Sequence, residues 1–360
     1  MIPVTKPFLP PKHTYDEYVT DIWNRSWLTN NGPLVNELET KLKDELDLQQ
    51  LLYVGNGTIA IQMAIKALDL KGDILTTPFS YVATTSSIAW EGCNPIFVDI
   101  DENSWNIDPH KIESAITPTT KAILATHVFG NPCDVITIAQ IAKKHNLYVI
   151  YDAAHCFGAR VQGKSVFSFG DISTTSFHAT KLFHTTEGGA VFANDLNVFN
   201  KLFYLRNFGH AGPEKFAGIG INGKNSEFHA AMGLCNLPYV AEIIDHRRRQ
   251  YLHYKTSLAG QSVQFQEIYA NTDYNYAYFP VVFDNEETTL KIQKVLNDNR
   301  IYPRRYFYPS LNTLNYVTPQ DCPVSYRISG SILCLPVYHD LTAEEQDLVC
   351  KLIKKTLSSI

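Results

Sequence analysis

The chain has 360 residues, of which 45% are hydrophobic and 19% charged, and its formal net charge is −5. That length carries one large and one smaller folded unit, each with its own apolar core, and the composition excludes a disordered or fibrous chain. A negative net charge, with basic clusters no larger than Arg247-Arg248-Arg249 and Arg304-Arg305, excludes a broad nucleic-acid footprint.

The opening segment, Met1 to Pro11, is broken by prolines and lacks the apolar stretch of a signal peptide. No later run approaches the roughly 18 apolar residues of a membrane span, so neither export nor anchoring is expected. A helix is expected from about Thr58 to Leu68, where Ile59, Ile61, Met63, Ala64, Ile65 and Leu68 are grouped at helical spacing. Ile74-Leu75-Thr76-Thr77 reads as a strand and Val82 to Glu91 as a helix. Ile96-Phe97-Val98, Ala122 to Thr126 and Tyr148 to Tyr151 read as buried strands, with a helix from about Ile136 to His145 between the last two. Strands buried on both faces and alternating with helices predict an α/β fold, a mostly parallel sheet covered by helices, whose ligands bind at the carboxyl ends of the strands. A long helical stretch, Ser226 to Thr256, then leads to a strand at Tyr278 to Phe283 and a terminal helix at Thr342 to Leu357. The expected division is a large domain over 1–240, N-terminal segment included, and a smaller C-terminal α/β domain over 241–360. The seven cysteines are odd in number and include no CxxC pair. This argues against a disulfide framework and a zinc site, fits a reducing cytoplasm, and leaves no metal centre expected.

Two residues stand out for chemistry. Asp152 closes the apolar Tyr148–Tyr151 run, and a carboxylate held rigidly at a strand end can pair with a protonated ring nitrogen; an aspartate there is equally suited to cap a helix. Lys181 lies between two strand-like segments, in Ser176-Phe177-His178-Ala179-Thr180-Lys181 followed by Glu187-Gly188-Gly189. A partly buried amine there would have a lowered pKa and could add to an aldehyde, whereas most lysines are simply exposed. Gly57-Thr58, ahead of a helix, offers free N–H groups and a positive dipole end to an anion, though Asn-Gly-Thr is also a routine turn. Ser176 could add a hydroxyl to a phosphate. Tyr81 could stack on a flat ring or lie in the core.

Taken in order, five segments resemble the fold-type I pyridoxal 5′-phosphate (PLP) enzymes, specifically the DegT/DnrJ/EryC1/StrS nucleotide-sugar aminotransferases. They are Asn56-Gly57-Thr58, Pro78 to Ala83, Asp152-Ala153-Ala154-His155, Ser176 through Lys181 to Gly189, and Gly220-Ile221-Asn222 through Ser226-Glu227 to Gly233. The resemblance implies a large PLP-binding domain with a smaller C-terminal one. It implies that Lys181 carries the cofactor as a Schiff base and shuttles protons, that Asp152 binds the pyridine nitrogen and that His155 meets the phenolic oxygen. Tyr81 would stack on the ring, and Gly57, Thr58 and Ser176 would hold the phosphate. Asn222 would reach the phosphate in the neighbouring subunit, which implies a homodimer, although between Gly220 and Gly223 it also reads as a turn residue. The chain departs from the family pattern at Lys224, Asn225 and His229. Lys181 separates it from a related dehydrase branch that carries histidine at that position.

The segments Trp27 to Pro33 and Arg304 to Leu311 look similar to those of members that aminate C4 of a dTDP-4-keto-6-deoxyhexose. The resemblance thus implies L-glutamate as donor and a nucleotide-linked keto-sugar as acceptor, with Thr29, Asn31, Arg305 and Tyr308 as substrate contacts. Amination at C3, a UDP- or GDP-linked sugar, and a non-catalytic ligand-binding regulator remain as alternatives.

Overall fold

The structure, a computed structural model, describes residues 1–359. Seven strands make the central sheet: β1 (Leu52–Val54), β2 (Asp73–Thr76), β3 (Asn94–Phe97), β4 (Thr120–Thr126), β5 (Tyr148–Asp152), β6 (Ile172–Ser176) and β7 (Gly189–Ala193). Their spatial order is β1-β7-β6-β5-β4-β2-β3, and only β7 runs against its neighbours. The expected mostly parallel sheet is therefore present. Alternation explains its burial. Tyr53, Leu75, Ile123, Ala125, Val149 and Tyr151 join one apolar cluster, while Val54, Ile74, Ala122, Leu124, Ile150 and Val191 join another.

Helices cover both clusters. On the first lie α2 (Pro33–Leu46), reached through α1 (Lys12–Arg25), and later α5, α7 and α8; on the second lie α3 (Gly57–Ala67), part of α4 (Val82–Trp90) and α6 (Leu196–Arg206). The helix α5 spans Val135–His145, α7 spans Glu227–Asn236 and α8 spans Val240–Ser257. The single helix expected from Ser226 to Thr256 is in fact these two, joined by a tight turn at Leu237–Tyr239. Pro238 explains the break, because it has no N–H to donate and its ring crowds the preceding turn.

Glu227 fixes α7 against α2. Its carboxylate is fully buried, accepts the Leu34 and Val35 N–H groups at 2.9 Å each, and lies 3.3 Å from the Arg25 guanidinium. Those N–H groups belong to the first turn of α2 and have no acceptor within their own helix. Glu227→Ala leaves them and Arg25 without their buried partner, so unfolding in urea should show a loss of about 3–5 kcal/mol. An unchanged midpoint would contradict this.

The C-terminal half carries a three-stranded antiparallel sheet, β8 (Val263–Phe265), β9 (Phe279–Phe283) and β10 (Ile332–Leu335), with β9 in the middle. Its apolar cluster is completed by α8, α9 (Glu286–Asp298) and α10 (Ala343–Leu357). Pro280 is tolerated in the middle strand because it faces Cys334 of β10 but lies beyond the last pairing with β8. The start of the chain joins this half: Ile2–Pro3 pairs in parallel with Ile301–Tyr302, and Val337 donates to the Val4 carbonyl at 3.1 Å. We propose a division near residue 240, with residues 2–4 attached to the C-terminal unit. Among the described residues no helix is long and apolar enough to cross a membrane.

Candidate active site

The parallel strands end at one edge, and that edge sets the site. Asp152 is the last residue of β5, Ser176 of β6 and Thr126 of β4, and the loops after β1 and β2 bring Gly57 and Tyr81 to the same place. Between these loops and Tyr278, Tyr306 and Phe307 of the C-terminal half lies a cavity of about 400 Å³. Gly57, Thr58, Tyr81, Asp152, His155, Ser176 and Lys181 all line it.

No helix follows Asp152, so capping is not its role. Its Oδ2 accepts the Thr84 hydroxyl at 2.7 Å and its Oδ1 the Ala154 N–H at 3.1 Å. Thr84 is 2.8 Å from Ser80, and Ser80 is 3.0 Å from Thr126. With the Thr84 hydrogen given to the carboxylate, Ser80 must donate to Thr84 and Thr126 to Ser80, so a directed chain of hydroxyls ends on Asp152. Burial pushes the Asp152 pKa up, while Thr84, Ala154 and the charge of Lys181 oppose that shift.

Lys181 is partly buried, with its Nζ 3.5 Å from the Tyr278 hydroxyl. Burial lowers its pKa, against the pull of Asp152, and so favours the neutral amine that can add to a carbonyl. His155 accepts the Phe129 N–H at Nδ1 at 3.1 Å, and burial followed by the charge of Lys181 pushes its pKa well down. A neutral ring that accepts at Nδ1 carries its proton at Nε2, which makes His155 a donor. The nearly parallel rings of Phe129 and Phe307 stack with His155, with centroids at 6.2 and 5.7 Å.

The loop between β1 and α3 forms an anion cradle. Asn56 caps α3 through its side chain, which accepts the Ile59 N–H at 2.8 Å, and its carbonyl accepts the Ala60 N–H at 3.2 Å. The first N–H groups of the helix, those of Gly57 and Thr58, have no acceptor within it. A Cβ on Gly57 would lie 3.0 Å from the Ser176 Cβ, and one on Gly189 would lie 2.6 Å from the Asn56 carbonyl carbon. Bare backbone at both positions lets the loop close on the end of β6. Two N–H groups and a hydroxyl, a buried carboxylate, a neutral imidazole donor and a reactive amine share one cavity. They match the phosphate, ring nitrogen, phenolic oxygen and aldehyde of PLP, and a cradle that a Cβ would fill is what close backbone approach to a phosphate requires. Tyr81 is 60% exposed and is therefore no core residue.

The remaining residues implied by the resemblance lie outside this cavity. Asn222 is exposed, and its Oδ1 accepts from Lys224 at 2.8 Å. The Thr29 carbonyl accepts from the Trp27 indole, and the Asn31 carbonyl from Asn36. Arg305 is tied to Glu286 and the Gly330 carbonyl, and its guanidinium lies 3.6 Å from the centre of the half-exposed Tyr308 ring. Each departure from the family pattern has a partner within the chain. Lys224 also sits 4.6 Å over Phe208, Asn225 donates to the Tyr53 hydroxyl at 3.0 Å, and His229 lies 2.8 Å from the Ser226 hydroxyl. Sequence reasoning missed Tyr278 and the Ser80-Thr84-Thr126 relay, and it placed Tyr306 and Phe307 in the substrate-side segment Arg304 to Leu311, whereas both line the cavity beside Lys181. Thr84 carries no distinguishing signal, since it opens the polar run Thr84-Thr85-Ser86-Ser87.

The chain matches the DegT/DnrJ/EryC1/StrS aminotransferase family over residues 12–354. It is 39% identical over 361 residues to a dTDP-4-amino-4,6-dideoxy-D-glucose transaminase of Shigella dysenteriae, with 98% of each chain covered. A transaminase of the same description from Escherichia coli is 37% identical, with 100% of this chain and 99% of the relative covered. Among solved structures, DesI in the presence of its TDP-sugar product gives a TM-score of 0.94 at 30% identity, covering 99% of this chain and 93% of that one.

Proposed function

Because the chain belongs to the DegT/DnrJ/EryC1/StrS aminotransferase family, and is thus a PLP-dependent enzyme acting on a nucleotide-linked keto-sugar, we propose that it moves the amino group of L-glutamate to C4 of dTDP-4-keto-6-deoxy-D-glucose. The products are dTDP-4-amino-4,6-dideoxy-D-glucose and 2-oxoglutarate. One observation carries the reading: Lys181, Asp152 and an anion cradle share one cavity in a chain whose full length is 37–39% identical to transaminases named for that product. The same identity supports C4 of a dTDP sugar over C3 or a UDP- or GDP-linked acceptor. A cavity holding a reactive amine supports catalysis over a ligand-binding regulator.

When bound, PLP would supply an aldehyde able to carry the amine and an electron-withdrawing ring able to stabilise charge at the adjacent carbon. Gly57 and Thr58 N–H groups and the Ser176 hydroxyl bind its phosphate, and Tyr81 covers one face of the ring. Asp152 holds a proton on the ring nitrogen, and the hydroxyl relay through Thr84 keeps that carboxylate oriented. His155, whose Nδ1 accepts the Phe129 N–H, would offer its Nε2–H to the phenolic oxygen. Lys181 Nζ would be the group that holds and moves the proton at the Cα of glutamate and, in the opposite sense, at the aminated carbon of the sugar. The Tyr278 hydroxyl, 3.5 Å from Nζ, orients the amine between those two positions.

The homodimer is part of this proposal. The stretch before Asn222 leaves Phe208, Phe216, Ile219 and Ile221 at 48%, 65%, 78% and 40% exposure, an apolar run that a second copy would cover. Asn222 would then reach the partner's phosphate; Thr29 and Asn31 would contact the substrate, and Arg305 and Tyr308 would border the nucleotide. Light scattering should give twice the chain's mass, and a mass of one chain would remove the shared site. A cytoplasmic location fits seven buried cysteines that are all free. Incubation with glutamate and dTDP-, UDP- and GDP-linked 4-keto-6-deoxyhexoses tests the substrate. Amination of the dTDP sugar at C4 is expected, and preferential turnover of the UDP- or GDP-linked sugar, or inactivity with all three, would overturn it.

A further inference from the structure

Away from the cavity, one cluster of side chains is assembled only by the fold. Glu242 and His246 are one turn apart on the same face of α8, and His339, in the loop between β10 and α10, comes up against them. The Glu242 Oε1 lies 3.9 Å from His246 Nε2 and 3.8 Å from His339 Nε2, and one donor atom from each of the three residues lies within 4.8 Å of the others. These separations are too long for hydrogen bonds, so three polar groups face one another without bonding. The two imidazoles stack at 4.6 Å, an arrangement that two protonated rings would resist. His339 Nδ1 is buried and has no hydrogen-bond partner, so the cluster also holds an unsatisfied polar atom.

We propose that Glu242, His246 and His339 bind a divalent cation of the zinc class. Two imidazole nitrogens and one carboxylate oxygen form a donor set that suits Zn²⁺, whereas Mg²⁺ and Ca²⁺ take oxygen ligands. Bonds of about 2.0–2.1 Å in a tetrahedral site place ligands roughly 3.4 Å apart, so small rotations of these side chains close the set. Their exposures of 54%, 36% and 25% leave room for that movement and for a water as fourth ligand. The charges nearby do not forbid the ion: Asp340 pairs with Lys6, and the Arg247 guanidinium is turned to the Ala277 carbonyl at 2.9 Å. None of the three residues lines the PLP cavity, so the ion would act on the framework. It would brace α8 to the loop before α10, where the Phe8 ring packs edge-on against His339 at 5.0 Å. The cysteine count excludes a thiolate centre but is silent on one built from histidine and carboxylate.

Holoenzyme cleared of metal with a chelator and titrated with ZnCl₂ in a calorimeter should take up one ion per chain. Its Tm should rise by about 3 °C at a hundredfold excess over the dissociation constant, and MgCl₂ should leave it unchanged. Glu242→Gln, His246→Ala and His339→Ala should each abolish the uptake and the Tm rise while the visible absorbance of bound cofactor is unaltered. Glu242 is exposed on a helix, so its variant guards against misfolding of the others. Absence of saturable Zn²⁺ uptake, or equal uptake and Tm rise in the His246→Ala/His339→Ala double variant, would overturn the assignment.

Discussion

With Lys181 replaced by alanine, transamination should fall by about 10⁴-fold or more, because a positioned proton carrier contributes about 10²–10⁴-fold and the covalent anchor of the cofactor goes with it. The absorbance of the bound cofactor should shift to that of free PLP, since no other amine borders the cavity floor beside Asp152. The fold should survive. Lys181 Nζ makes one long contact, 3.5 Å to Tyr278, and burial already disfavours its charge. Lys181→Arg separates the two properties of the side chain: it keeps the positive charge beside Asp152 but cannot add to an aldehyde, and it should be as inactive as the alanine variant. Full activity in either variant would mean that another residue carries the proton.

The same residue shows what was legible in the sequence. Lys181 and Asp152 could be found because each follows or precedes short apolar strands whose period reveals them, and because strand ends in a parallel sheet are where ligands bind. The helix Gly57–Ala67 and strand Tyr148–Asp152 lie within a residue of expectation. By contrast α1 buries only Ile22, so it carries no apolar stripe to read. The direction of β7 is invisible too, since Gly189–Ala193 has the same apolar character whichever way it runs. Pro238 is a helix breaker, but helical spacing on both sides of it makes the two helices read as one. Tyr278 sits in an aromatic run that reads as strand, and only the packing of the C-terminal half over the sheet edge brings its hydroxyl to Lys181. The relay from Thr126 through Ser80 to Thr84 joins residues 46 and 4 apart in sequence, a proximity no local pattern encodes. Asn222, Thr29 and Asn31 lie outside the cavity of their own chain, and a reading confined to one chain has no means of placing them.

Asp152→Asn should show opposite effects with and without cofactor, and the cause lies in the burial of the carboxylate. In the cofactor-free protein burial raises the Asp152 pKa. The folded state therefore favours the protonated carboxyl; the stability this contributes is complete below the unfolded pKa of about 3.9 and is lost as pH rises through the folded value. At neutral pH the ionised group is held in the fold at a cost, which asparagine removes; its Oδ1 still accepts from the Ala154 N–H, while its Nδ2 meets the Thr84 oxygen as a donor and reverses the direction of the hydroxyl relay. Cofactor-free Asp152→Asn should accordingly melt at or above the wild-type temperature at pH 7, and the difference should shrink as the pH falls toward 4. With cofactor the order reverses. A neutral amide cannot pair with a protonated ring nitrogen, and losing a charge-assisted hydrogen bond of roughly 3 kcal/mol corresponds to about 10²-fold in both PLP affinity and rate. Melting curves of the two proteins with and without PLP, at pH 4.5 and pH 7, would read all four states. If the variant is destabilised in the cofactor-free state at neutral pH, the carboxylate is a structural anchor and its assignment to the ring nitrogen loses its physical basis.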